Sequence, residues 1–346
     1  MQKTLVLAVL ALSTLAVSAQ SVVSNHAAGR RPAAGTIVTF DVPGGTYTSP
    51  AGINTGGQIA GSYTNGTTGF GFIRSASGIF TSFGVAGATA TIAESINDSG
   101  AVTGWYADSS NVNHGFVRQP NGSITTFDPP ESSGTYTLSI NSWGEVAGYY
   151  TVDGAAKGFV RDALGNITTF VVAGAESTVV WSLSDNGSVV GYYYSRSAEV
   201  GFIRDSSGTI TMFSVPGAGK GVGQGTAPIA INASGEIGGY YITGSYVYHG
   251  FSRDVSGNIT TLDDPKAARG GTLPSCINNN GEIAGDVESP GITFGFSVDA
   301  ALDYSSFTVP GADPVYGTSP HAINDSGTIT GTWVDATPSV HGFVRY

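Results

Sequence analysis

The chain has 346 residues, 51 of them Gly, with 40% hydrophobic and only 11% charged residues. This composition supports a large core and excludes a disordered chain. A formal net charge of −11 argues against binding nucleic acid or anionic lipid, and the single cysteine, Cys276, excludes an intramolecular disulfide.

Residues 1–19 read as a secretory signal peptide. Lys3 supplies the charged start, Leu5 to Val17 form an apolar run broken by Ser13 and Thr14, and Val17-Ser18-Ala19 is a small-residue cleavage site. The run is short for a membrane span, and no later segment approaches the apolar length a spanning helix needs, so no membrane insertion is expected. Cleavage removes Lys3 and no acid, which makes the mature chain one unit more negative. The expected location is extracellular or periplasmic. Residues 20–35 read as a flexible segment, and residues 36–346 as one repeat domain, expected to be monomeric.

From Thr36 onward three markers recur. The first is an apolar residue followed by Asn, with Gly three places on. It stands at Ile53-Asn54, Ile96-Asn97, Ile140-Asn141, Leu183-Ser184, Ile231-Asn232, Ile277-Asn278 and Ile323-Asn324. The second is Gly-Phe-x-Arg, ending at Arg74, Arg118, Arg161, Arg204, Arg253 and Arg345; the sixth copy ends in Val298 instead. The third is a short run ending in Phe40, Phe83, Phe127, Phe170, Phe213, Leu262 and Phe307. Each copy carries four strand signals, rich in Val, Ile, Thr, Tyr and Phe and bounded by turn residues, with no helical periodicity. Four strands per roughly 44 residues predicts an all-β, seven-bladed β-propeller of four-stranded antiparallel blades. The pattern opens on strand four (Thr36 to Asp41) and closes on strand three (His341 to Tyr346). Pairing the two would complete the last blade and hide both raw edges.

The pattern Ile-Asn-x-x-Gly, then Gly-x-Tyr, then His-Gly-Phe-x-Arg (with His at His114, His249 and His341) resembles the HAF repeats of bacterial extracellular proteins. The resemblance covers about residues 36–346. It implies secretion and a propeller-like fold, and it carries no catalytic residue to transfer.

Most repeated residues read as structural. Asn-x-x-Gly is turn chemistry, which also accounts for several of the eight Asn-x-Ser/Thr sequons without glycosylation. The repeated Arg shares a strand face with Phe two places before it, so its stem should pack at a blade seam while its head meets a carbonyl, a carboxylate or an aromatic ring. The three His before Gly-Phe would be spread around a ring and should not converge on a metal. Cys276 reads as a small buried residue. Gly217-Ala-Gly-Lys220-Gly mimics a phosphate loop but has Gly221 where Ser or Thr is needed and Ser214 where the first Gly is needed. No catalytic residue, metal or cofactor is assigned.

Function is expected on one face. The connections between strands one and two, and three and four, are short and uniform. Those between strands two and three, and from strand four to the next strand one, vary, and they lie on the opposite face. The former include Thr151–Lys157, Tyr194–Val200 and Glu288–Thr293; the latter include the Gly-rich Pro216–Pro228. Candidate binding residues there are Tyr47, Tyr136, Lys220, Tyr246, Tyr248 and Tyr316, a surface suited to a glycan or a cell-surface protein. Two classes follow: a secreted non-catalytic binding module, and a secreted polysaccharide lyase or glycoside hydrolase. The second needs a convergent acid–base pair, for which Glu94, Asp108, Glu131, Glu199 and Glu288 are scattered candidates.

Overall fold

A computed structural model describes residues 35–267 and 271–346. The expected signal peptide and the segment after it lie outside the described residues. The described chain is all-β, with 28 strands in five sheets. Three sheets have four strands and two have eight. Each eight-stranded sheet is two antiparallel four-stranded ladders joined by one parallel pair, Gly69 with Ala90 or Glu199 with Gly225. Each sequence repeat therefore supplies one ladder, numbered here as units 1 to 7 in chain order. Among the described residues no helix is long and apolar enough to cross a membrane.

The last repeat is completed from the other end of the chain. Ile37–Phe40 pairs antiparallel with Val340–Arg345, with Phe40 opposite Gly342. It thus occupies the place of strand four in unit 7.

Strand one of each unit is bulged two residues before its end, for example between Thr137 and Ser139. The bulge explains an unvarying Gly in strand two. A Cβ on Gly148 would stand 2.0 Å from the Tyr136 carbonyl oxygen, and Gly61, Gly104, Gly191, Gly239, Gly285 and Gly331 meet the same obstacle. Only a residue without a side chain lets the two backbones approach this closely.

The core lies between units. The Phe of each Gly-Phe (Phe72, Phe116, Phe159, Phe202, Phe251, Phe296 and Phe343) is fully buried. A second buried row is Thr48, Thr91, Thr135, Thr178, Thr226, Thr272 and Thr318, at the same place in every strand one. Their hydroxyls accept the backbone N–H of the connection arriving from strand four, as Thr48 does from Val42 at 3.2 Å and Thr178 from Val172 at 3.0 Å. Unit 3 differs: the Thr135 hydroxyl donates to Asp128. Each otherwise buried orphan donor is thereby satisfied, which fixes where strand one begins.

Three connections expected as variable loops are tight hairpins. Asp153-Gly154 and Arg196-Ser197 form two-residue turns with positive φ at both positions, and Ser289 and Ile292 bracket a third. This backbone twist matches that of the flanking strands, so pairing continues into residues that read as loop.

Candidate binding surface

The uniform face is built by the Asn markers. The Asn54 side-chain amide donates to the Asn97 carbonyl at 3.1 Å, Asn97 to Asn141 at 3.0 Å, and Asn141 to Ser184 at 3.3 Å. Asn232 donates to Asn278, Asn278 to Asn324, and Asn324 to Asn54 at 3.0 Å, which ties the last copy to the first. Each Asn side-chain oxygen meanwhile accepts the backbone N–H four residues on, as Asn141 does from Glu145. All seven copies of the marker line one cavity of about 210 Å³. The six Asn side-chain amides there are occupied by backbone carbonyls of the next copy and backbone N–H groups of their own turn, so this end is held together by its own polar groups.

The repeated Arg also has a structural partner. Arg74, Arg118, Arg161, Arg204, Arg253 and Arg345 each lie over the strand-four Phe of the preceding unit, with guanidinium carbon to ring centroid distances from 4.7 to 5.1 Å. Arg74 of unit 1 lies over Phe40, so the N-terminal strand takes part in the seam as the other outer strands do. Burial holds the guanidinium of Arg161 below its ordinary range.

The three His before Gly-Phe each bond a carboxylate through Nδ1: His114 to Asp128 at 2.7 Å, His249 to Asp263 at 2.9 Å, and His341 to Asp41 at 3.0 Å. Each ring stacks on an aromatic residue, Tyr106, Tyr241 or Trp333. The Asp41 bond raises the His341 pKa, and burial opposes it. Among the described residues no group of three or more metal-ligating side chains converges. Cys276 is buried, which pushes its thiol up to about 12.

From the middle of the strands toward the opposite end runs a belt of aromatic rings and carboxyl groups spanning units 2 to 6. In unit 2, Trp105 Nε1 donates to Glu94 at 2.9 Å, and burial raises Glu94 to about 7 with that bond opposing. The Trp105 ring meets Tyr136 of unit 3 edge-on at 5.7 Å, and Tyr136 stacks on Tyr149 at 4.8 Å. Burial, together with Tyr136, Glu94 and Tyr194, holds the Tyr149 phenol above its ordinary value. In unit 4, Tyr192 and Tyr194 meet edge-on at 5.6 Å, and Glu199 is raised to about 7 by burial. In unit 5, Tyr240 packs against Tyr248 at 5.7 Å. In unit 6, burial raises Asp286 to about 7, and Glu288 reinforces the shift. Glu94 and Glu199 thus lie on separate units, while Asp286 and Glu288 stand two residues apart on one strand of unit 6; burial is the leading cause of each raised value.

The belt gathers some of the candidates named from sequence. Tyr136 is in the middle of strand one, half-buried between Trp105 and Tyr149, so it belongs to the belt and not to a loop. Tyr248 opens strand three of unit 5 and is 38% exposed. Tyr246 is 61% exposed and donates its hydroxyl to the Val222 carbonyl at 3.2 Å, clasping the Gly-rich loop that bears exposed Lys220. Tyr47 and Tyr316 are 42% and 63% exposed and stand in units 1 and 7, away from the belt. Of the carboxylates, Glu94, Glu199 and Glu288 fall in the belt. Asp108 lies beside His114 at 3.6 Å, and Glu131 sits in a connection between units 2 and 3.

Trp105, Tyr149, Tyr192, Tyr240 and Asp286 went unread in the sequence. All follow the unvarying Gly of strand two, a position held elsewhere by Ser62 and Thr332. Variation at one position inside a uniform strand was the available signal.

No family model matches the chain, and no curated protein matches it. Among solved structures it is similar to a streptogramin B lyase at 13% identity, covering 89% of this chain and 97% of that one, with a TM-score of 0.60. It is similar to virginiamycin B lyase from Staphylococcus aureus at 14% identity, covering 90% and 99%, also with a TM-score of 0.60. The β-propeller domain of the trilobed protease from Pyrococcus furiosus, which has an open velcro topology, matches at 10% identity over 86% and 95%, with the same TM-score. At such identities the likeness shows the fold alone: the chain is an all-β, propeller-like repeat protein.

Proposed function

We propose that the chain is a secreted, closed seven-bladed propeller of the HAF-repeat kind that acts as a non-catalytic binding module. Its ligand is a polysaccharide or other surface glycan held on the aromatic and carboxyl belt. The observation that carries the reading is the belt itself. Trp105 and Tyr192 are buried and back the belt, while the partly exposed Tyr136, Tyr149, Tyr194, Tyr240 and Tyr248 supply ring edges, part of their faces and hydroxyl groups, which suits sugar rings. Of the carboxyl groups that accompany them, Glu94 and Glu199 stand alone on units 2 and 4, which suits binding along a surface, while Asp286 and Glu288 in unit 6 are the one neighbouring pair. Closure is supported by the Asn324 to Asn54 bond and by the pairing of Ile37–Phe40 with the last repeat.

The test is a glycan-array screen of residues 20–346 together with assays for polysaccharide cleavage. Binding that is lost in Tyr136→Ala, without cleavage, supports the module. Release of new reducing ends, abolished by Glu94→Gln or Glu199→Gln, would overturn it in favour of a hydrolase. That second reading draws on the values near 7 of these two carboxyls, which suit a general acid.

A further inference from the structure

We propose that the seam between units 4 and 5 binds an alkylated ammonium group, caged by Tyr192, Tyr194, Tyr240 and Tyr248 beside the carboxyl of Glu199. The inference rests on the belt being the ligand site, and it narrows the ligand to one carrying an organic cation.

The placement follows from the strands. Glu199 is the direct cross-strand partner of Tyr194, and Tyr192 lies two residues along the same strand, so the three share a face. Tyr240 and Tyr248 come from strands two and three of the next unit. Glu199 sits on the seam itself: its backbone N–H donates to the Gln224 carbonyl at 2.8 Å, and it forms the parallel pair with Gly225. Its charge bears on all four phenols.

Nothing in the fold asks for a carboxyl group there. The other units place Gly69, Asn113, Ala156, Tyr248, Thr293 and Val340 at the equivalent position. Glu199 Oε2 is buried with no hydrogen-bond partner, and among the described residues no ion pair reaches it. Such a group is costly unless something compensates it. A metal ion would need several oxygen ligands, and the cage offers one carboxyl. A neutral sugar could hydrogen-bond the carboxyl but would bring no opposite charge to favour its ionised form. A weakly hydrated ammonium answers both the carboxylate and the electron-rich ring faces. Trp181 Nε1, packed in the same cluster as Tyr192, Tyr194 and Tyr240, is likewise buried without an acceptor. An oxygen beside the ammonium would satisfy it.

The test titrates choline into the purified chain by calorimetry, with 3,3-dimethylbutan-1-ol as the uncharged isostere. Choline should bind at least about tenfold more tightly than the isostere, and Glu199→Gln should lose about tenfold in choline affinity. The variant should melt no lower than the parent, which separates loss of the site from loss of the fold. Failure of choline to bind the folded parent overturns the proposal, as does equal binding of the isostere or unchanged binding by Glu199→Gln. A neutral glycan bound equally by parent and variant overturns the cation site while leaving the belt as a glycan surface. Choline binding with no glycan binding sustains the cation site and removes the polysaccharide reading.

Discussion

Val298 and Leu262 share one buried cluster at the seam between units 5 and 6, where every other seam places an Arg over a Phe. The sixth copy has lost both members of the pair together, and an aliphatic contact stands in for a cation–π contact. The two positions therefore behave as one unit of packing. Val298→Arg alone should destabilise by burying a charge with no ring beneath it, and adding Leu262→Phe should recover part of the loss. A coupling of about 1 kcal/mol in a denaturation cycle is expected; strict additivity would mean the seam reads each residue separately.

The same logic predicts Arg161→Leu. It removes the contact with Phe127 at 4.9 Å and keeps much of the stem packing. The Nε atom of Arg161 is buried without a partner, which limits what the wild-type contact contributes. A loss of about 1 kcal/mol in urea unfolding is expected. Unchanged melting together with loss of a bound anion would assign the Arg to a ligand.

Gly148→Ala tests the bulge. The added methyl would fall 2.0 Å from a backbone oxygen that belongs to the paired strand and has no free room to shift. Destabilisation of about 2 kcal/mol or more is expected by thermal or urea melts. A neutral result would show that strand one is not anchored where its bulge stands.

Stability should rise as pH falls from 8 toward 5. Glu94, Glu199 and Asp286 have folded values raised by burial to about 7, above their unfolded values. Their contribution is complete below the unfolded carboxyl range and is lost as pH climbs through about 7. His321 works in the opposite direction: buried, with its Nδ1–H donating to the Pro50 carbonyl at 2.7 Å, its value is depressed, so its contribution is lost as pH falls below the ordinary histidine range. Glu94→Gln keeps an acceptor for Trp105 and should flatten the slope between pH 5 and 8 by an amount on the order of 3 kcal/mol. A slope unchanged in the variant would place the pH dependence elsewhere.

Deleting residues 36–42 removes the strand paired with Val340–Arg345 and the Phe40 ring under Arg74. The melting temperature should fall sharply. An unchanged melting temperature would mean that the repeats form an open array.

The strands and their grouping were legible because the same turn residues and the same Phe recur in each copy. Gly-Phe-x-Arg announced a seam residue, and the structure supplies its partner, which is the Phe of a different marker. The Thr row escaped notice because a buried hydroxyl and an exposed one look alike in sequence. The belt escaped it for another reason. Its residues differ from copy to copy, so Trp105, Tyr149 and Asp286 share a position without sharing chemistry. Tyr136 reads as a residue of the variable face, yet it lies within strand one, where pairing with strand two begins at Gly134.

The chain of Asn amides is interrupted at one place. Ser184 cannot donate onward as Asn does, and between units 4 and 5 the link is a longer contact of 3.4 Å from Asn186 to the Ala233 carbonyl. Those are the two units whose other end holds the tyrosine cage. Backbone amides flanking this joint should exchange with solvent sooner than their counterparts elsewhere, so the repeats have a preferred point of breathing at their most chemically distinctive seam.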